Sequence, residues 1–275
     1  MNCVSFDTTD KCLLNCNERI IHQIWFGIIP NKNEAKKTMD VLTKYRDSWL
    51  IKNSNWTYKC WNLTECRLLI KLHFPEHLDM YDKYPYVIQK CDCVRYCILY
   101  RYGGLYADMD YCCNRPWDEV LRDYPDDFYI TETPNKLGQH NQISNSLMYS
   151  KRNHPFWKHL LLDMEKNMIM PLYYSKHMII MYTTGPCIIN RVFHKYQQKY
   201  SLKSYPYKLF HPFGITTELK VNNDSSIYAY HLQKGSWNTF DTNIINFVYK
   251  DYKIIMFIVI VMILPVLIFS LKNKK

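Results

Sequence analysis

The sequence predicts an α/β domain built on a largely parallel sheet, followed near its C-terminus by an apolar helix. Three observations carry this reading. Short β-branched runs alternate with segments of helical period, a glycine pair at 103–104 separates the longest helical segment from a short strand, and Ile254 to Leu271 runs eighteen residues without a charge. With 275 residues, 48% of them hydrophobic, the chain can bury one substantial core, which excludes disorder as its main character.

The elements follow in order. Ile20 to Phe26 (IIHQIWF) is apolar and β-branched at its start and predicts a strand. Met39, Leu42, Tyr45 and Trp49 recur at helical spacing, and Trp56, Tyr58 and Cys60 then alternate as in a strand. Thr64 is placed to cap a helix running through Leu72, because a hydroxyl can accept from the unpaired N–H groups of a first turn. A longer helix is expected from about Tyr86 to Tyr102, stopped by Gly103-Gly104, where positive φ is freely available. Leu105 to Met109 returns as a strand. Strand, helix, strand, helix, helix, strand is the order of a domain whose parallel strands are joined by helical crossovers.

At the C-terminus, the uncharged stretch 254–271 would span about 27 Å as a helix, close to the hydrocarbon thickness of a bilayer. Tyr252 and Lys253 precede it, and a basic tail at 272–275 carries Lys272, Lys274 and Lys275. We read it as a transmembrane helix, with Pro265 as a tolerated kink. The N-terminal segment, 1–19, shows no apolar signal-peptide core. Its absence places the body in the cytosol, whereas the lysine-rich tail and three sequons at Asn55, Asn62 and Asn223 place it in a lumen, so the orientation stays open.

The net charge of +10 invites a nucleic-acid partner. Five lysines and one aspartate between 250 and 275 supply +4 of it, and the remaining +6 is spread thinly with no basic stripe interleaved with aromatics. No nucleic-acid partner is expected. The eleven cysteines contain no pair of Cys-x-x-Cys units, which argues against structural zinc, and a chain of this length needs no disulfide scaffold.

The chemistry concentrates in YVIQKCDCVRYCILYRYGGLYADMD, residues 86–110. Asp92 and Arg95 lie three residues apart on one helix face, an unusual position for charge among apolar neighbours. After the glycine pair, the strand delivers Tyr106, Asp108 and Asp110 to its carboxyl end, the edge where open α/β sheets bind ligands. Two acids at i, i+2 point to opposite faces of an extended strand and reach one ion only if the chain turns there. Their hard oxygens suit Mg²⁺ or Mn²⁺, which leave positions open for diphosphate oxygens.

This constellation resembles the sugar-binding region of glycosyltransferases with an Asp-x-Asp motif, family 32, and within it the yeast-type catalytic subunits that mannosylate inositol phosphorylceramide. Four further blocks extend the likeness in order: IHQIWFG (21–27), QISNSLMYSKRNHPFW (142–157), MIIMYTTGP (178–186) and HLQKGSWNTFD (231–241). Ser146 stands where the family usually has Asp, and Asn238 where it often has His. The resemblance implies a GT-A-like, Rossmann-type nucleotide-sugar-binding domain over about 20–249 and a metal-dependent transferase that retains anomeric configuration. The expected reaction moves mannose from GDP-mannose to an inositol phosphorylceramide-type lipid or glycan acceptor. A UDP-sugar donor with another glycan, or a catalytically silent membrane-bound partner, stays open as an alternative.

By the same resemblance, Asp92 and Arg95 hold hydroxyls of the donor sugar, Tyr106 packs beside it, Asp108 contacts ribose or sugar, and Asp110 binds Mn²⁺ or Mg²⁺. Trp25 stacks near the base, and Ser236 and Trp237 close over the diphosphate. Asn145 sits near the acceptor or the anomeric carbon. His231 either completes the metal shell, since imidazole suits Mn²⁺, or is a hydrogen-bonded structural residue. An internal ion pair is the competing reading of Asp92 and Arg95. The expected setting is an endomembrane of Golgi or ER type, with a regulatory membrane subunit as a candidate partner.

Overall fold

The structure is a computed structural model that describes residues 6–27, 35–133, 142–212, 224–232, 240–242 and 244. Six strands form the main sheet: β1 (Ile20–Ile24), β2 (Thr57–Trp61), β3 (Gly104–Ala107), β5 (Phe128–Thr133), β6 (Gln142–Ser150) and β7 (Lys203–Tyr205). Their order is β2-β1-β3-β6-β5-β7. The pairs β1–β2, β1–β3 and β5–β7 are parallel, while β6 runs antiparallel to both β3 and β5. The sheet is therefore parallel-rich and mixed, with β6 as the reversed strand in its middle. A separate two-stranded ribbon joins β4 (Tyr111–Cys113) to β8 (Ala229–His231).

Helices cover both faces, and alternation along each strand assigns its side chains to them. On β3, Tyr106 joins one core while Leu105 and Ala107 join the other. The first core is built from α3 (Leu63–His73), α5 (Val87–Tyr102), α7 (Pro155–Lys166) and α9 (Pro186–Tyr196), with Leu69, Ile98, Trp157 and Ile189 fully buried. The second is aromatic: Trp49 of α2 (Ala35–Lys52), Trp117 of α6 (Trp117–Asp123), and Tyr205 and Phe210 meet beneath the opposite face. An N-terminal helix, α1 (Phe6–Leu14), docks through Leu13 and through Asp10, which pairs with Arg101 at 2.8 Å and accepts from the Tyr102 hydroxyl at 2.6 Å.

Two expectations about element ends need correction. The cap of α3 is Asn62, not Thr64: the Asn62 side chain accepts from the Glu65 N–H, and Glu65 accepts from the Asn62 N–H. This reciprocal box satisfies two otherwise orphan donors, and a lone hydroxyl at Thr64 satisfies at most one. The strand expected over 105–109 ends at Ala107 because the chain turns at Asp108. The stop of α5 is as the glycines predict. Gly103 and Gly104 take φ of 67° and 87°, and a Cβ on Gly104 would lie 2.6 Å from the Ile20 carbonyl oxygen, so the β3–β1 approach needs glycine twice over. Among the described residues no helix is long and apolar enough to cross a membrane; the stretch 254–271 lies outside them.

His22 on β1 gives this core a pH dependence. Its ring is fully buried, and the Trp61 indole, which can only donate, points at its Nδ1 at 3.2 Å. Nδ1 must therefore accept, leaving Nε2–H to donate to the Gly103 carbonyl at 3.1 Å. Burial holds this neutral imidazole down at about 3. Between the ordinary value near 6.5 and about 3, the unfolded chain binds a proton that the folded chain refuses, so stability falls as pH falls through that window. The expected loss is up to about 1.4 kcal/mol per pH unit. Urea midpoints across this window should fall more steeply for the natural chain than for His22→Gln, and equal slopes would contradict the assignment.

Candidate active site

At the carboxyl end of β3, Asp108 donates its N–H to the Ser146 carbonyl at 2.8 Å, and Tyr111 donates back to the Asp108 carbonyl at 3.0 Å. This closes a turn over Asp108 to Tyr111, which the strand alternation required if two acids were to share an ion. Ligand atoms of Asp108, Asp110 and His231 lie within 4.8 Å of one another. His231 is delivered by the ribbon, where it sits opposite Tyr111 in the ladder. Its ring stacks on Tyr111 at 4.8 Å and meets the edge of His211 at 5.0 Å. The Leu232 N–H donates to the Asp110 carbonyl at 3.0 Å, locking ribbon to turn.

His231 Nε2 lies 2.8 Å from Asp110 Oδ1. Burial alone would depress this imidazole, but Asp110, with help from Asp108, outweighs it and holds His231 above its ordinary value. Burial raises the Asp108 carboxyl despite the opposing pull of Arg95. From the other side of the turn, Gln23 Nε2 donates to the Asp108 carbonyl at 3.1 Å, and the Tyr58 hydroxyl donates to Gln23 Oε1 at 2.7 Å.

Arg95 is the hub of the buried half. Projecting from the middle of α5, its guanidinium lies 3.0 Å from Asp92 and 3.2 Å from Asp108, donates to the Asn145 carbonyl at 2.8 Å, and covers the Tyr106 ring at 4.7 Å. The Tyr106 hydroxyl donates to Asp108 Oδ1 at 2.7 Å. Asp92 accepts from the Asn145 amide at 3.0 Å and from the Thr184 hydroxyl at 2.9 Å. The Asn145 amide also reaches Tyr96 Oη at 2.8 Å, and that hydroxyl donates to the Thr184 carbonyl at 2.7 Å. Burial pushes the Asp92 carboxyl up to about 6, with Arg95 resisting. A carboxylate raised by burial and framed by donors, at a sheet edge, has the character of a group kept for a ligand.

The structure thus brings together Asp92, Arg95, Tyr106, Asp108, Asp110, Asn145 and His231. Asp92 and Arg95 do form an ion pair on one helix, but the same guanidinium also grips Asp108, so the pair belongs to the larger cluster. Trp25 is half-buried just past the end of β1, at the same sheet edge, with its N–H on the Trp61 carbonyl at 2.9 Å. Ser236 and Trp237 lie outside the described residues. Ser146 contributes its backbone to the Asp108 turn, and its hydroxyl lies 2.8 Å from that of Ser144.

Four participants escape a reading of the sequence alone: Gln23, Tyr58, Tyr96 and Thr184. Thr184 falls inside MIIMYTTGP and Gln23 inside IHQIWFG, so those blocks carried the signal without saying which side chain mattered. The donor set of two carboxylates and one imidazole fits Mn²⁺ or Mg²⁺, and the imidazole favours Mn²⁺.

Comparison with known proteins agrees with this geometry. Residues 39–127 match the family described as "Glycosyltransferase sugar-binding region containing DXD motif". The chain is 27% identical over 245 residues to inositol phosphoceramide mannosyltransferase 3 of Schizosaccharomyces pombe, covering 87% of this chain and 61% of that one. It is 29% identical over 231 residues to inositol phosphoceramide mannosyltransferase 2 of the same yeast, covering 82% and 60%. The chain therefore spans about three fifths of the length of these relatives. Among solved structures, the ligand-free glycosyltransferase domain from the YGT toxin superposes with a TM-score of 0.50 at 9% identity, over 70% of this chain and 80% of that one, which shows a shared fold. The Asp-x-Asp turn thus lies inside the region that matches this family, and the mannosyltransferase relatives align over most of this chain's length.

Proposed function

We propose that the chain is a membrane-anchored, metal-dependent, retaining glycosyltransferase that moves mannose from GDP-mannose to an inositol phosphorylceramide-type lipid. The observation that carries the reading is the junction at Asp108, where the buried Arg95 cluster meets the Asp108–Asp110–His231 triad at one sheet edge. The names of the relatives support the choice of mannose and of the acceptor class. The uncharged stretch 254–271 supports the anchor, and an anchored enzyme on an endomembrane would meet a membrane-resident acceptor.

In this reading Asp108, Asp110 and His231 hold Mn²⁺ or Mg²⁺, which when bound supplies a Lewis acid for the departing nucleoside diphosphate. Arg95 directs most of its five N–H donors at protein acceptors: the Cys91 and Asn145 carbonyls and the carboxylates of Asp92 and Asp108. It acts by fixing those two carboxylates, while the lone pairs of Asp92 that remain take the sugar hydroxyls. Tyr106 orients Asp108, and Trp25 at the same edge stacks near the base. Preorganised polar groups in a largely buried site supply the stabilisation that a retaining transfer without a protein nucleophile requires.

Membranes carrying the chain should incorporate tritiated mannose from GDP-mannose into extractable lipid in the presence of Mn²⁺, and chelation should abolish it. Undiminished incorporation by Asp108→Ala would overturn the assigned site. Consumption of a UDP-sugar in place of GDP-mannose would overturn the donor.

A further inference from the structure

The strongest feature outside the site is an apolar projection between α7 and α8 (Lys176–Thr183). Ile169, Leu172 and Tyr173 are 90%, 105% and 81% exposed, an unusual concentration of large apolar side chains on one short connection. Tyr173, Tyr174 and Tyr182 continue it as a chain of ring contacts at 5.2 and 5.9 Å, carrying the patch from the loop onto α8. Lys166 and Lys176 bracket it in sequence. Apolar tips, tyrosines behind them and lysines at the flanks are the grading of a surface that enters the headgroup region of a bilayer.

Two observations say what covers this patch. The first is a tether. The His177 N–H, in the first turn of α8, donates to Asp241 at 2.8 Å, and its Nδ1 lies 3.1 Å from the Thr242 hydroxyl. The chain that leads to the uncharged stretch is thus fixed at the base of the projection, with Phe240 beside it 79% exposed. Eleven residues lie between Thr242 and Ile254, a reach of at most about 40 Å. The second is the position of the site. Helix α8, eight residues and about 12 Å long, leads from the projection to Thr184, which holds Asp92 at 2.9 Å.

We infer that the projection around Leu172 is a membrane-docking surface, lying in the headgroup layer of the bilayer that receives the 254–271 segment and holding the sugar site within a helix length of that layer. The inference rests on the anchored reading above and extends it. The anchor restricts the protein to the membrane, whereas the projection sets its tilt, so that a lipid headgroup approaches from the Thr184 end of the cluster.

The test uses the full chain reconstituted in vesicles of phosphatidylcholine and phosphatidylinositol, with and without bromine on the acyl chains. Leu172→Trp places a fluorophore at the tip. Arg122→Trp on α6, which packs against the opposite face of the sheet, serves as the remote control. After subtraction of the natural chain's signal, the Leu172→Trp emission should fall roughly twofold in brominated vesicles, as expected for a ring some 5–10 Å deep, and the control should not change. A chain that floats with the vesicles but shows no quenching at the tip overturns the docking surface while leaving the anchor intact. A chain that fails to float overturns both. Protection of the tip in a particle of twice the mass, without quenching, assigns the patch to a second copy and also overturns the inference.

Discussion

Asp110→Ala is expected to lower sugar transfer by roughly 10²–10³-fold while leaving the fold intact. The two halves of this expectation come from different atoms of one residue. Its side chain holds His231 at 2.8 Å and is one of three groups within 4.8 Å of each other. Its backbone carbonyl accepts the Leu232 N–H at 3.0 Å, a bond that alanine retains. The ladder pairs Tyr111 with His231, Cys112 with Tyr230 and Cys113 with Ala229 do not depend on the carboxylate either. Transfer measured at saturating Mn²⁺, beside a thermal melt of the same variant, separates the two. Activity within a few-fold of the natural chain would remove Asp110 from the chemistry, and a collapsed melt would show that it is structural.

Arg95→Met should behave differently, losing stability and activity together. The guanidinium is 3% exposed and is the cation between Asp92 and Asp108. Methionine preserves much of the volume but strands both carboxylates and the Asn145 carbonyl, at an expected loss of about 3–5 kcal/mol near neutral pH. Without the guanidinium, both carboxyls titrate higher still in the folded state than in the unfolded chain. The folded variant then binds the extra protons, so its deficit is largest above that range and shrinks as pH falls toward the ordinary carboxylate value. Urea unfolding of variant and natural chain at neutral and acid pH checks this. A deficit that is small, or that grows on acidification, would show that Arg95 carries no such burden.

These expectations bear on what a sequence can reveal. Asp92 and Arg95 were legible because they sit three residues apart on a helix whose end is marked by two glycines, and all of that information is local. Asp108 and Asp110 were legible as a pair, and the need for a turn followed from strand geometry alone. What joins them was not legible. Asn145 meets Asp92 across 53 positions and Thr184 meets it across 92, and no periodicity encodes such contacts. The reversed strand β6 was hidden for a related reason. Eight of its nine residues are buried, so it lacks the alternation that marks a half-exposed strand. At the start of α3 the sequence reading settled on Thr64, whereas the cap is Asn62, because Glu65 stands three places after it and completes the reciprocal box.

The β4–β8 ribbon has a further consequence, for the order in which the molecule assembles. Asp110 and His231 are 121 positions apart, and closing a loop of that length carries an entropic cost of roughly 4 kcal/mol before any contact rewards it. Three ladder pairs are a small return on such a closure. The β3–β6 pairs, such as Ala107 with Leu147, are far nearer neighbours in the chain and can consolidate earlier. The carboxylates at the end of β3 should thus be in place before their imidazole partner arrives, so that during refolding the recovery of activity lags the recovery of helix.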